Sequence, residues 1–193
     1  MDFPKKVKSA LYFPLALPSV ITFLLIKGAD KDIIRKDLIR QEMDGHVMSN
    51  DSILHCTFFL FLLMVHQKAF RAVFYKRIGR MKHILNILLP QHSTCEIYGC
   101  KIGEGLRLFH GFNIIVNPKV KIGRNCSLHH EVTKGATEKG VPVLGDDVFV
   151  GVGAKIIGSV KIGNNVRIGA GAIVVDDVND NSIVVSPKAY VLR

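Results

Sequence analysis

Between Leu144 and Asn179 an aliphatic residue recurs every six positions, at Leu144, Val150, Ile156, Ile162, Ile168 and Val174. A second small or branched residue follows each by four places, at Val148, Ala154, Val160, Val166, Ala172 and Val178. An α-helix repeats every 3.6 residues and a strand every 2, so neither an amphipathic helix nor a hairpin carries this period. The pattern predicts a parallel β-helix, in which each short strand fills one flat side of a prism, three hexads close a coil, and each coil stacks on the last. Glycine follows the aliphatic residue in most hexads, and Asn or Asp comes next at Asn125, Asp146, Asp147, Asn164 and Asn165. These residue types suit corners with left-handed backbone.

The register extends backward through Leu128, Ile122 and Val116, then Leu108 and Ile102, with two departures. Leu108 and Val116 stand eight apart, so two residues are inserted at a corner. Leu128 and Leu144 stand sixteen apart, where three hexads would need eighteen, and residues 134–142 are expected to leave the stack as an excursion loop. Interruptions in a solenoid are where sites are built. A non-catalytic β-helix scaffold is kept as the bland alternative.

Residues 1–92 read as an α-helical domain and 93–193 as the repeat domain. The apolar run Leu11 to Ile26 follows Lys5, Lys6 and Lys8, and Pro14 and Pro18 are expected to interrupt it. Packing or oligomer contact, shallow membrane association and export are all open for it. Helical spacing follows through Ile33, Ile34, Leu38 and Ile39. A second apolar stretch, Ile53 to Val65, begins after capping candidates Ser49 to Ser52 and suits a buried helix.

The net charge of +10 is uneven: residues 1–92 carry +7 and the repeat half +3. No recognition helix or alternation of aromatic and basic residues points to nucleic acid. An anionic membrane surface, a phosphorylated carrier or cofactor phosphates fit better. The four cysteines show no CxxC pairing and no zinc spacing, which implies packed thiols in a reducing, cytoplasmic setting.

His110 and His130 each lie two places after a repeat residue, Leu108 and Leu128. Their spacing of twenty, one coil plus the insertion, predicts imidazoles on the same corner of neighbouring coils, about 5 Å apart at the backbone. Glu96, fourteen residues before His110, is placed to approach it from the previous turn. A histidine oriented by a carboxylate can take a proton from a hydroxyl. A metal site of the γ-carbonic-anhydrase kind would need a third histidine in register, and none follows His130, so no metal is expected.

The stretch Glu96 to Val191 resembles the hexapeptide-repeat acyltransferases with a left-handed parallel β-helix, and within them the serine acetyltransferase branch. LFHGFNIIVNPKVKIGRNCSLHHEVTKGA aligns with that branch without gaps, with His110 on its catalytic histidine. Glu96 falls near the carboxylate partner, one residue being missing before Lys101, and His130 stands where the branch has a glutamine. The resemblance implies acetyl-CoA as co-substrate, a homotrimer or dimer of trimers, and a cofactor groove between neighbouring β-helices. That groove would be lined by Gly151, Val152, Gly153, Ala154, Gly169 and Ala170, with Lys155 or Lys188 near phosphate.

The acceptor side departs from the branch. Phe109 replaces an aspartate that would hold an ammonium, and Gly140 and Val141 stand in place of an arginine and a histidine that would hold a carboxylate. A zwitterionic amino acid would then be bound poorly. KAFRAVFYKRI (Lys68 to Ile78) resembles the leader of serine-acetyltransferase-like proteins of capsule and exopolysaccharide synthesis. The favoured expectation is O-acetylation of a sugar or polysaccharide-precursor hydroxyl, with Phe109 stacking on the sugar, at the inner face of the membrane. Serine O-acetylation in cysteine biosynthesis is the alternative. The sequence given ends at Arg193, so docking on cysteine synthase through a C-terminal tail is not expected.

Overall fold

The computed structural model describes residues 3–43, 46–47 and 52–187. The chain begins with helices α1 (Phe3–Leu25) and α2 (Ala29–Ile39), and a two-stranded hairpin of β1 (Glu42–Met43) and β2 (His46–Val47) follows. Next come α3 (Ile53–His66), α4 (Lys68–Arg77), a 3-10 turn at Gly79–Met81, and α5 (Lys82–Leu88).

The expected interruption of the first apolar run is not found: α1 continues through Pro14 and Pro18. Each proline removes one helical hydrogen bond, freeing the carbonyls of Ala10 and Pro14. Both residues lie on the exposed side of the helix, where a carbonyl left without its helical donor can be hydrated. By length and composition α1 is the one helix among the described residues able to cross a membrane, and 22% of its apolar window is buried. α3 begins at Ser52, whose hydroxyl accepts from the His55 amide at 3.4 Å; Ser49 to Asp51 lie outside the described residues. Seven α3 residues are buried, among them Phe59, Leu60 and Leu63, so this run is a core helix.

From Cys95 the chain winds as a parallel β-solenoid with three faces. The first face pairs β4 (Lys101–Ile102), β7 (Lys121–Ile122), β10 (Val143–Leu144) and β13 (Lys161–Ile162). The second pairs β5 (Arg107–Leu108), β8 (Ser127–Leu128), β11 (Phe149–Val150), β14 (Arg167–Ile168) and β16 (Ile183–Val184). The third pairs β3 (Cys95–Glu96), β6 (Ile114–Val116), β9 (Thr133–Gly135), β12 (Lys155–Ile157) and β15 (Ile173–Val174). Every repeat residue from Leu108 to Val174 points inward and is buried. Burying one such side chain stabilises by about 1.5–3 kcal/mol, and a column of them fixes the register, since a one-residue slip would turn the column outward.

The corners are held by polar ladders. Asn125, Asp147, Asn165 and Asn181 all adopt left-handed backbone, with φ between 55° and 59°. Beside them the Asp146 carboxylate accepts from the Arg124 amide at 2.7 Å, and the Asn164 side chain accepts from the Asp146 amide at 2.9 Å. Gly123 has no space for a side chain, because a Cβ there would lie 2.3 Å from the Gly145 carbonyl oxygen.

The excursion is shorter than 134–142. Lys134 and Gly135 belong to β9, where Lys134 pairs in register between Val116 and Ile156. Lys134 is thus the repeat residue six after Leu128, a lysine at 0% exposure among aliphatic neighbours, and its Nζ has no hydrogen-bond partner. Only the segment after Gly135 leaves the stack, closed by a bridge between Thr137 and Gly140.

The helices dock on the first coils through a few buried polar contacts. Arg77 reaches both Asp37 oxygens, at 2.7 and 3.1 Å, and donates to the carbonyls of Ile102 and Gly103. Asp37 also accepts from the Leu106 amide at 3.0 Å, and Arg40 donates to the Asn125 carbonyl at 2.7 Å. The helical part is therefore fixed to the same two coils that carry the irregular corner.

Candidate active site

The two-residue insertion changes the corner after β5. Later coils turn this corner with one left-handed residue each, Glu131, Gly153 and Gly171, whereas the inserted corner has three, His110 (φ 66°), Gly111 (φ 70°) and Asn113 (φ 51°). Left-handed backbone is uncommon in a residue with a Cβ. The turn closes against α4: a Cβ on Gly111 would stand 2.7 Å from the Ala69 Cα. The result places the exposed His110 ring outside the prism.

β5 and β8 pair with Leu108 opposite Leu128, so the twenty-residue spacing does return to one corner. The His110 and His130 ring centroids are 5.2 Å apart, edge to face. Phe112 stacks on His130 at 4.6 Å, and the His130 Nδ1 is buried without a hydrogen-bond partner. His129 leaves the strand on the other side, stacked on Phe109 at 4.3 Å and edge-on to Phe149 at 5.1 Å. The guanidinium of Arg107 lies 4.4 Å from the Phe109 ring.

A cleft of about 480 Å³ opens between this corner and the α3–α4 junction. His110, Phe109 and Arg107 form one wall, and His66, Lys68 and Ala69 form another. His92 also lines the cleft, with the backbone of His110 near enough to favour its charged form. Burial first, and then the charges of Lys68 and Arg71, hold the His92 imidazole below its ordinary value. Burial likewise lowers His129, with further effect from His130, His110 and Arg107. Both rings therefore favour the neutral form. Sequence reasoning missed His92, which belongs to no repeat and reaches the cleft only because α5 carries the chain there.

The other expected site residues separate into those that face a groove and those that do not. Glu96 is exposed on β3 opposite Ile115, and no hydrogen bond joins its carboxylate to His110. Gly151, Val152 and Gly153 form a corner beside Gly169 and Ala170, where only small side chains interrupt the backbone. Ala154 does not join them: its side chain is fully buried in the prism. Lys155 donates to the Glu131 carbonyl at 2.6 Å and to the Thr133 hydroxyl at 3.3 Å, so its ammonium ties two coils together instead of reaching out to a phosphate. Lys188 lies outside the described residues. Among the described residues no three of His, Cys, Asp and Glu are grouped to hold a metal ion.

The bacterial transferase hexapeptide family (six repeats) matches residues 142–176. These repeats are thus similar to those of that transferase family, and serine acetyltransferases are among the proteins the chain resembles. The serine acetyltransferase of Helicobacter pylori is 40% identical over 95 residues, 47% of this chain and 56% of that relative. That of Synechococcus elongatus is 32% identical over 130 residues, 65% of this chain and 53% of the relative. The chain thus spans little more than half the length of these relatives. The crystal structure of Neisseria gonorrhoeae serine acetyltransferase in complex with serine matches with a TM-score of 0.65 at 26% identity, over 93% of this chain and 73% of that one. Helices followed by a solenoid are therefore common to both molecules.

Proposed function

We propose that this protein is an acetyl-CoA-dependent O-acetyltransferase in which His110 is the general base. The observation that carries the reading is the inserted corner, which sets an exposed imidazole on a cleft within 5.2 Å of a second one. His110 takes the proton of the acceptor hydroxyl as that oxygen bonds to the thioester carbon. His130, whose ring centroid lies 5.2 Å from that of His110, would stand next to the developing oxyanion. The C–S bond then breaks, and His110 returns its proton to the leaving sulfur. Glu96 would have to approach His110 from the position the structure gives it in order to orient the ring. The small-residue corner of Gly151, Val152, Gly153, Gly169 and Ala170 is where the pantetheine arm would lie.

Similarity to the relatives favours free serine as acceptor and gives no support to polysaccharide synthesis. A sugar hydroxyl remains the second reading because the half-exposed Phe109 ring lines the cleft. A homotrimer, or a pair of trimers, in the cytoplasm belongs to the same proposal, and the four buried thiols suit that reducing setting. Peripheral contact with the inner membrane face rests on exposed Leu11, Phe13 and Leu25 of α1, and co-sedimentation with anionic vesicles tests it.

The decisive experiment is thiol release from acetyl-CoA with serine and simple sugars as acceptors. His110→Ala is expected to lower turnover by about 10² to 10⁴ and to leave CoA affinity nearly intact. A wild-type rate in that variant, or no thiol release with any acceptor, would remove the enzyme reading in favour of a scaffold.

A further inference from the structure

The charges around the cleft carry more than the reaction type. Its lining includes Lys8, Lys68, Arg71 and Arg107 together with His66 and His92, and it includes no aspartate or glutamate. Arg71 is buried and committed through all three nitrogens, donating to the carbonyls of Met64 at 2.6 Å, Pro90 at 2.7 Å and Val65 at 3.0 Å, so it adds its charge and no free donor. Lys68 is exposed beside the base, and its charge is among those that hold the His92 imidazole down. At the position before His110 the chain places Phe109, half-buried, its ring stacked on His129 and covered by Arg107. A positively lined crevice concentrates anions and repels cations. A bound ammonium would find no carboxylate to replace its water, and an unpaired charge in a partly enclosed site is costly.

We propose that this cleft reads its acceptor through an anionic group and makes no demand for an ammonium, so the acceptor class is a hydroxyl compound bearing a carboxylate or a phosphate. The proposal rests on the transfer reaction proposed above and narrows its acceptor. Serine is admitted through its carboxylate alone, and a hydroxy acid of the same skeleton serves at least as well. Lys68 holds the anion while the hydroxyl reaches His110. The cationic lining is assigned to the acceptor and not to the cofactor because the small-residue corner at Gly151 to Gly153 and Gly169 to Ala170 lies on later coils, and none of those residues lines the cleft.

The test compares five acceptors on the full chain by thiol release from acetyl-CoA: serine, glycerate, glycerol 3-phosphate, serine methyl ester and glycerol. Glycerate or glycerol 3-phosphate, depending on which anion the cleft holds, is expected to match or exceed serine in kcat/KM. The ester and glycerol should fall at least tenfold below. Lys68→Ala should raise the KM for the anionic acceptors roughly tenfold, with kcat and the Kd for CoA little changed, and Lys68→Arg should restore most of the loss. Serine and its ester both outperforming glycerate and glycerol 3-phosphate would overturn the proposal. So would a Lys68→Ala variant that loses CoA affinity and keeps acceptor KM, since the charge would then serve the cofactor. If no acceptor turns over, the transfer reading fails, and calorimetric titration decides the anion claim by itself. Binding of glycerate or of glycerol 3-phosphate that weakens in Lys68→Ala upholds it, and neither of the two binding tighter than glycerol defeats it.

Discussion

The early and late coils of the solenoid are built from the same hexad and serve different ends. From Val143 to Val174 the repeat is strict, the inward column is Leu144, Val150, Ile156, Ile162, Ile168 and Val174, and the outer corners bond mainly to one another. From Cys95 to Gly135 the repeat carries an inserted corner, a lysine in the core, a pair of facing histidines and the whole attachment of the helices. Repetition supplies rigidity at low informational cost, and departures from it place the chemistry. Substitutions in the early coils should therefore change rate, pH response or attachment, and those in the inward column of the late coils stability alone.

The strongest challenge to this division is Asp37→Ala, which leaves Arg77 buried without its carboxylate. Breaking such a pair costs about 3–5 kcal/mol, and chemical denaturation should show it together with loss of turnover, because the helices that wall the cleft are released. Ile168→Ala should cost about 2–5 kcal/mol through its cavity, with kcat unchanged well below the melting temperature. A kcat defect there would show that late coils do more than support. Gains test the division too. Burial lowers the Lys134 amine to about 7, so between about pH 7 and pH 10 the unfolded chain binds more protons than the folded one. Stability then rises with pH across that window and is lost as pH falls through it. Lys134→Leu should remove this slope and add on the order of 2 kcal/mol at neutral pH, read from melting temperatures at several pH values. The smallest effect in stability is Gly111→Ala, about 1–3 kcal/mol from its left-handed backbone and the contact with Ala69. Its value is the comparison with Gly171→Ala, a left-handed corner of the last coils where the nearest atom to a new Cβ is 3.9 Å away. Only the first of the two should lower kcat.

The hexad arithmetic anticipated the three faces, the pairing of Leu108 with Leu128 and the approach of His110 to His130, because inward positions are chemically monotonous and tolerate no slip. It fails at Lys134 for the same reason: an aliphatic period does not recognise a lysine six places after Leu128 as an inward residue. Pro14 and Pro18 likewise signal a break in sequence, whereas α1 runs through both. The cleft itself was out of reach. Its second wall comes from the α3–α4 junction and from His92, and their placement depends on Arg77, Asp37 and Gln41 gripping Ile102, Gly103 and Leu106 across 25 to 69 residues of sequence.

The absence of any gap between Gly111 and Ala69 bears on how this molecule can be dissected. A fragment cut where the repeats begin would keep every rung of the prism and lose the abutment that sets the turn at His110. Grafting the solenoid onto another leader would meet the same difficulty. The smallest portable unit is thus the first coils together with the helix leaning on them, and the repeat boundary marks a seam in the sequence without marking one in the cleft.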